Sequence, residues 1–158
     1  MHSPLENKLL GIIDVAFRDV MLEMGISIYI ADVGAGPGSY NPLLKDCSTV
    51  DWRLLTNEQL ESAQSTLIHT DIEGFRFYLP AYMTWTVRNH RISDNWICDH
   101  TIYSLNPKDQ PFLQFFTAEQ NDAVIRFLDY CAENEQTVDG MIARKHASTI
   151  REILENAG

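Results

Sequence analysis

Apolar residues recur at every third or fourth position in three long segments of the chain, and this spacing is typical of amphipathic helices. The first segment covers residues 4–24, where Pro4 suits the first turn of a helix and Gly25 marks its end. The second covers residues 117–133 and the third covers residues 138–154. The pattern therefore predicts a mostly helical chain in which each helix turns one apolar side toward a common core.

Three pairs of residues have the spacing of a capping box, in which two side chains satisfy backbone amides at the start of a helix. They are Thr56 with Gln59, Thr70 with Glu73, and Thr117 with Gln120. The second pair precedes the segment EGFRFYLPAYM, in which Pro80 cannot donate a helical hydrogen bond. We therefore predict one helix that ends near Tyr78 and another that runs from Pro80 to about Asn89, with a single kinked helix as the alternative.

Shorter runs of apolar residues have the length and alternation of strands. Residues 26–30 alternate between isoleucine and smaller or polar residues, and residues 96–98, 101–105 and 112–116 form three further short runs. The polar turn at residues 106–109 is suited to joining the last two into a hairpin. The patterns together predict one domain over residues 1–158. Its fold class is mainly α (α+β), with about five helices and a small antiparallel β element.

The stretch IYIADVGAGPGSYNP, at residues 28–42, resembles the first strand and glycine loop of S-adenosylmethionine-dependent methyltransferases. The glycines of this loop are Gly34, Gly36 and Gly38. The methyltransferase fold needs a helix directly after the loop and then further alternating strands and helices. Pro42 leaves room for hardly one helical turn, and mainly helices follow. We therefore predict an ordinary or partner-binding loop and no cofactor, with a degenerate S-adenosylmethionine-binding domain as an alternative.

The chain carries 12 lysine and arginine residues against 22 aspartate and glutamate residues, a formal net charge of −10. An acidic surface repels the phosphate backbone, so we expect no binding to nucleic acid, whereas a basic protein would be attracted. No apolar run approaches the roughly 20 residues that a membrane-spanning helix needs, so we expect no membrane partner. The first ten residues lack the apolar core of a signal peptide, which favours a cytoplasmic location.

Neither the cysteines nor the histidines form a motif that holds a metal. The cysteines are Cys47, Cys98 and Cys131, which are far apart and form no C-x-x-C pair, so we expect reduced thiols. No two histidines have the helical spacing of a zinc site. The sequence therefore predicts no metal site, and no catalytic group emerges from it.

The segment EGFRFYLPAYM offers a possible ligand site. Arg76 has the donor geometry to hold a carboxylate or phosphate, and Tyr78 and Tyr82 could line the same pocket. In the alternative, which we favour, Glu73 and Arg76 form a local ion pair on one helix and the tyrosines belong to the core.

Four acidic residues share one face of the predicted helix at residues 117–133. They are Glu119, Asp122, Asp129 and Glu133. Only Arg126 interrupts this acidic face. It is either a solvated surface, which is the commoner case, or a docking strip for a basic protein.

Four segments of the chain resemble a family of small uncharacterised bacterial proteins. The segments are GISIYIADV, DWRLL, DIEGFRFYLPAYM and FFTAEQNDAVIRFLDYC, at residues 25–33, 51–55, 71–83 and 115–131. The shared signature is E-G-x-R-F-Y-L-P-A-Y-M followed by a helix with Q-x-x-A-(V or I)-x-x-F-L. The resemblance covers about residues 10–133 and implies no activity, substrate or catalytic residue.

Three functions remain open from the sequence. The first is a non-enzymatic protein-binding module, most concretely an immunity or inhibitor protein that masks a basic toxin. The second is a small-molecule-binding protein or small enzyme that uses Arg76, Tyr78 and Tyr82. The third is the degenerate cofactor-binding domain described above. Small size, acidity and the lack of a catalytic motif favour the first.

Overall fold

The computed structural model describes residues 2–22 and 51–157, and this part of the chain contains seven α-helices and two short 3-10 turns. The helices are α1 (Pro4–Ala16), α2 (Asn57–Glu61), α3 (Thr66–His69), α4 (Ile72–Asn89), α5 (Ile97–Ser104), α6 (Ala118–Ala132) and α7 (Gly140–Ala157). The 3-10 turns are Trp52–Leu54 and Phe112–Gln114. The mainly α prediction is therefore confirmed. None of these helices has the length and apolar character that crossing a membrane requires.

Helix α4 is the centre of the fold. Twelve of its 18 residues are buried, including Phe77 and Leu79, whose side chains have no solvent exposure. It packs against α1, α2, α3 and α5, and α6 lies between α1 and α7. The buried apolar residues of the described segments form one cluster, because each helix contributes its apolar side to the same interior.

Two of the predicted capping boxes are confirmed. The Thr56 and Gln59 side chains cap α2, and those of Thr117 and Gln120 cap α6, with hydrogen bonds of 2.9–3.1 Å between side chain and backbone. The predicted box of Thr70 with Glu73 is wrong. Asp71 caps α4 instead, since its carboxylate accepts a hydrogen bond of 2.8 Å from the Gly74 amide.

Helix α1 begins at Pro4 as predicted but ends at Ala16, eight residues before the predicted end. Its last carbonyls are bonded to side chains from distant segments. The Gln120 amide donates to the Ala16 carbonyl at 3.2 Å, and the Trp52 indole donates to the Phe17 carbonyl at 2.9 Å. Because these carbonyls have partners outside the helix, a further helical turn is not needed to satisfy them.

Helix α4 continues through Pro80, so the prediction of two helices is wrong and the alternative of a single helix is confirmed. Proline removes one helical hydrogen bond, whose acceptor would be the carbonyl of Arg76. The burial of Pro80 and its neighbours on both sides compensates for that loss, since the whole middle of the helix lies in the core.

The predicted antiparallel β element is also wrong: residues 51–157 contain no strand. The runs at 96–98 and 101–105 lie almost wholly within α5, and the run at 112–116 forms a 3-10 turn. Short apolar runs do not distinguish a strand from a buried helix, and here contacts with α3, α4 and α7 favour the helix. The predicted strand at 26–30 and the predicted loop with Gly34, Gly36 and Gly38 lie outside the described residues.

Candidate functional site

Helices α1 and α6 lie side by side in opposite directions, and a groove opens at each end of their contact. The first groove, about 800 Å3, is lined by Val15 and Met21 from the end of α1 and the residues after it, and by Glu119 at the start of α6. The second, about 280 Å3, is lined by Leu5 near the start of α1 and Glu133 after α6. We name them the Glu119 groove and the Glu133 groove.

The Glu119 groove combines an apolar surface with three carboxylates. Val15 and Met21 are 46% and 62% exposed, which leaves apolar surface facing solvent. Asp19, Glu73 and Glu119 line the groove, are exposed and make no ion pair within the described segments. They come from three separate parts of the chain: the turn after α1, the first turn of α4 and the first turn of α6.

Arg76 is the basic residue on the lining of this groove. Its Nη1 donates a hydrogen bond of 3.1 Å to the carbonyl of Phe115, which fixes the guanidinium beside the start of α6. The predicted ion pair with Glu73 is absent, although both residues are described. Within residues 2–22 and 51–157, no direct ion pair therefore compensates any of the three carboxylates.

The structure does not bring Arg76 together with Tyr78 and Tyr82. Both tyrosines are almost fully buried, as the core alternative proposed. The Tyr82 hydroxyl donates to the Ala63 carbonyl, and the Tyr78 ring packs edge-on against Phe77 at 5.0 Å between centroids. Burial raises the pKa of the Tyr78 phenol, so the hydroxyl stays protonated at neutral pH.

The acidic face predicted on α6 is uncompensated only at its two ends. Asp122 binds Arg126 at 2.8 Å, and Asp129 binds Arg151 of α7 at 3.1 Å through one of two hydrogen bonds. Glu119 and Glu133 make no ion pair within the described segments. The sequence could show Arg126 but not Arg151, because that arginine reaches α6 from a helix 22 residues further along the chain.

Around the Glu133 groove the charges are balanced. Lys8 and Arg126 line it together with Asp129 and Glu133. An equal number of positive and negative side chains gives no attraction for either sign of partner at long range. The acidic character predicted for the whole face of α6 is therefore concentrated at its first turn.

Behind the Glu133 groove, Tyr130 belongs to a buried polar network that pattern reasoning missed. The Tyr130 hydroxyl is 2.7 Å from His90 Nε2, and His90 Nδ1 is 2.6 Å from the Thr137 hydroxyl. Since the Thr137 hydroxyl donates to the Asn134 carbonyl at 3.2 Å, it accepts the proton of His90 Nδ1. The Tyr130 hydroxyl also interacts with the Glu6 carboxylate, so the network continues from His90 through Tyr130 to Glu6.

An ion pair between the buried Glu6 and the exposed Arg91 completes this network. Arg91 binds the Glu6 carboxylate at 2.5 Å, and that hydrogen bond holds the pKa of Glu6 at about 2. Burial lowers the pKa of His90 and raises that of Tyr130 to about 12. A phenol with so high a pKa acts as a hydrogen-bond donor at neutral pH and not as a nucleophile. The network therefore ties the ends of α1, α4 and α6 together.

The described cysteines and acidic residues offer no metal site. Within residues 2–22 and 51–157, no group of three or more histidine, cysteine, aspartate or glutamate side chains could hold a metal ion. Cys98 and Cys131 are free, buried thiols, and burial raises the pKa of Cys98 to about 11. These thiols are protonated at neutral pH, as expected for core residues.

Comparison with known proteins places the chain in a family without assigning an activity. No curated protein and no solved structure matches the chain. One family model matches it over residues 5–151, and its description is a family of unknown function, DUF6714. This agrees with the resemblance to an uncharacterised family that the sequence motifs indicated. Because the match covers nearly the whole chain, the protein belongs to the DUF6714 family.

Proposed function

We propose that this protein is a non-enzymatic binding module that holds a basic segment of another protein in the Glu119 groove. Its most concrete form is an inhibitor or immunity protein that masks a basic toxin. The observation that carries the proposal is a set of three carboxylates, without an ion-pair partner among the described residues, around exposed apolar side chains.

The chemistry of the groove specifies the kind of segment that fits it. Lysine or arginine side chains of the partner would pair with Asp19, Glu73 and Glu119, while an apolar side chain would cover Val15 and Met21. Carboxylates that are exposed and unpaired in the free protein lose no existing partner when they bind a cation. The apolar contact supplies the larger part of the affinity, since exposed ion pairs contribute little by themselves.

The charge of the whole molecule supports the same partner. A net charge of −10 attracts a basic protein from a distance and raises the rate of encounter. Asp122 and Asp129 contribute to this general field, but their arginine partners reduce their role in direct contact. Among the acidic residues on the predicted face of α6, we therefore assign the direct contact with the partner to Glu119. The others, including Glu133, have only a supporting role.

The proposal is tested with a synthetic amphipathic peptide that carries lysine and leucine at helical spacing. Its association with the protein is followed by stopped-flow fluorescence anisotropy at several salt concentrations. The test variant combines Asp19→Asn, Glu73→Gln and Glu119→Gln. The matched control combines Glu58→Gln, Glu61→Gln and Glu152→Gln, which remove the same charge from exposed positions elsewhere.

We expect the test variant to reduce the association rate about tenfold and to flatten its salt dependence, and the control to change the rate less than twofold. Equal effects of the two variants would mean that only net charge matters, which would refute the groove as the binding site. No binding of the peptide by the wild-type protein would refute the proposed function.

A further inference from the structure

The residues that line the Glu133 groove have helical spacing on both of its sides. The residues of α1 are Leu5, Lys8, Leu9 and Ile12. The opposite side includes Arg126 and Asp129 of α6 and, directly after that helix, Glu133. Residues three, four and seven positions apart lie on one face of a helix, so the groove follows both helices for two turns, or about 10 Å. A groove of this kind between two helices is a surface against which further helices pack.

The apolar side chains of this groove are only partly covered. Leu9 is 5% exposed and Ile12 is half-buried, whereas Leu5 is 67% exposed. Removal of such surface from water is favourable by roughly 25 cal/mol for each Å2 of apolar area. The groove therefore gains free energy when another molecule covers it.

Opposite charges stand at the two ends of the groove. Because α1 and α6 run in opposite directions, Glu133 lies at the end of the groove with Leu5 and Arg126 at the end with Ile12. Arg126 binds Asp122 through Nε at 2.8 Å, which leaves its two Nη groups as donors for a second carboxylate. Glu133 makes no ion pair within the described segments.

We propose that the Glu133 groove is the contact surface of a homodimer, with a twofold axis that crosses the groove at its midpoint. The rotation reverses the direction of the groove, so Glu133 of each copy faces Arg126 of the other. Near the axis, the long side chain of Lys8 reaches Asp129 of the opposite copy. A twofold dimer requires a surface that is complementary to itself, and the opposite charges at the two ends meet this requirement.

The net charge of −10 opposes association of two copies, but the distribution of that charge reduces the effect. At about 0.15 M salt, exposed charges separated by more than roughly 8 Å are largely screened from each other. Glu119, at the first turn of α6, is about 20 Å along the helix from Glu133. The balanced charges at the contact therefore act at short range without the carboxylates of the Glu119 groove.

Charge reversal tests the proposed pairing, with association measured by sedimentation velocity in about 0.15 M salt. We expect the wild-type chain to dimerise. Glu133→Arg and Arg126→Glu should each weaken the dimer at least about tenfold, because symmetry places two like-charged pairs in contact. An equimolar mixture of these two variants should recover the association, since both pairs again have opposite signs. Glu58→Arg and Lys145→Glu make the same charge changes at exposed positions outside the groove and should change the association less than about twofold.

Leu5→Gln provides a second measurement. It should weaken the dimer and leave the urea midpoint nearly unchanged, whereas Met141→Gln, at a position that is 72% exposed on α7, should preserve the dimer. A wild-type chain that stays monomeric up to about 100 μM would overturn the proposal, since even weak specific interfaces bind in the micromolar range. Reversed variants that dimerise like the wild type would also overturn it, as would a mixture that does not recover association. Asp19, Glu73 and Glu119 do not line this groove, so the test is independent of the proposed function.

Discussion

Phe77 provides the most direct test of the packing around α4. Its side chain has no solvent exposure, and its ring packs edge-on against Tyr78. Truncation of a buried phenylalanine to alanine typically costs about 3–5 kcal/mol, and an edge-to-face pair adds about 0.5–1.5 kcal/mol beyond its buried area. Because α4 packs against four other helices, the cavity left by Phe77→Ala has little freedom to collapse.

We therefore expect Phe77→Ala to lower the free energy of unfolding by about 4–5 kcal/mol. For a chain of this size, the melting temperature would fall by roughly 8–20 °C. Urea denaturation followed by circular dichroism gives the free energy directly, and an unchanged slope would show that the denatured state is not altered.

Phe115→Ala is the matched control, since Phe115 is 49% exposed. Its truncation should cost about 1 kcal/mol or less, because about half of that residue's surface is already in contact with water. If the two variants differed by less than about 1 kcal/mol, the placement of Phe77 in a tightly packed core would be refuted.

Three further outcomes follow from the glycines and histidines. Gly11→Ala should raise the free energy of unfolding by about 0.5–1 kcal/mol in urea, because Gly11 is exposed inside α1 and an added Cβ meets no atom within 4 Å. Gly140→Ala should lower it by about 1–3 kcal/mol, since the added Cβ would lie 2.5 Å from Glu135 Cβ and 3.0 Å from the Cys131 carbonyl oxygen. Equal urea midpoints for these two variants would contradict at least one of the two expectations. Burial lowers the pKa of His90 and of His146 in the folded protein, so the unfolded chain takes up protons first. The urea midpoint should therefore fall as the pH drops below about 6.5, and His90→Gln should lessen the fall; a midpoint that stays constant down to pH 5 would contradict this.

The sequence predicts local features of this fold well because their causes lie within a few residues. The capping boxes at Thr56 and Thr117 need only a hydroxyl and a glutamine three positions later, so spacing alone identifies them. The end of α1 could not be predicted in this way. It depends on Trp52 and Gln120, which bind its last carbonyls from 35 and 104 residues away.

The failed strand prediction at residues 101–105 has a related cause. The Thr101 hydroxyl donates to the Ile97 carbonyl at 2.7 Å and the Ser104 hydroxyl to the Thr101 carbonyl at 2.8 Å, so both polar side chains are satisfied inside the core. A buried helix can therefore carry polar residues at positions that a half-exposed strand would turn to solvent.

The candidate site was predictable only in part. Glu119 follows from the charge pattern of α6, whereas its neighbours in the groove come from elsewhere. Asp19 lies within residues 4–24, for which the sequence predicts one longer helix, and the sequence predicts that Glu73 pairs with Arg76. Asp19 lines the groove because α1 already ends at Ala16. Glu73 stays without Arg76 as a partner because Arg76 donates its hydrogen bond to the Phe115 carbonyl.

Pro80 affects the local stability of α4, although it lies buried in the core. Without an amide at residue 80, the hydrogen-bond ladder of α4 has a gap, and the turns before it are joined to the rest of the helix by one bond fewer. Those turns carry Glu73 and Arg76 to the Glu119 groove. Because Phe75 and Phe77 hold those turns in the core, we expect the gap to speed amide hydrogen exchange before Pro80 only moderately relative to the part of the helix after it.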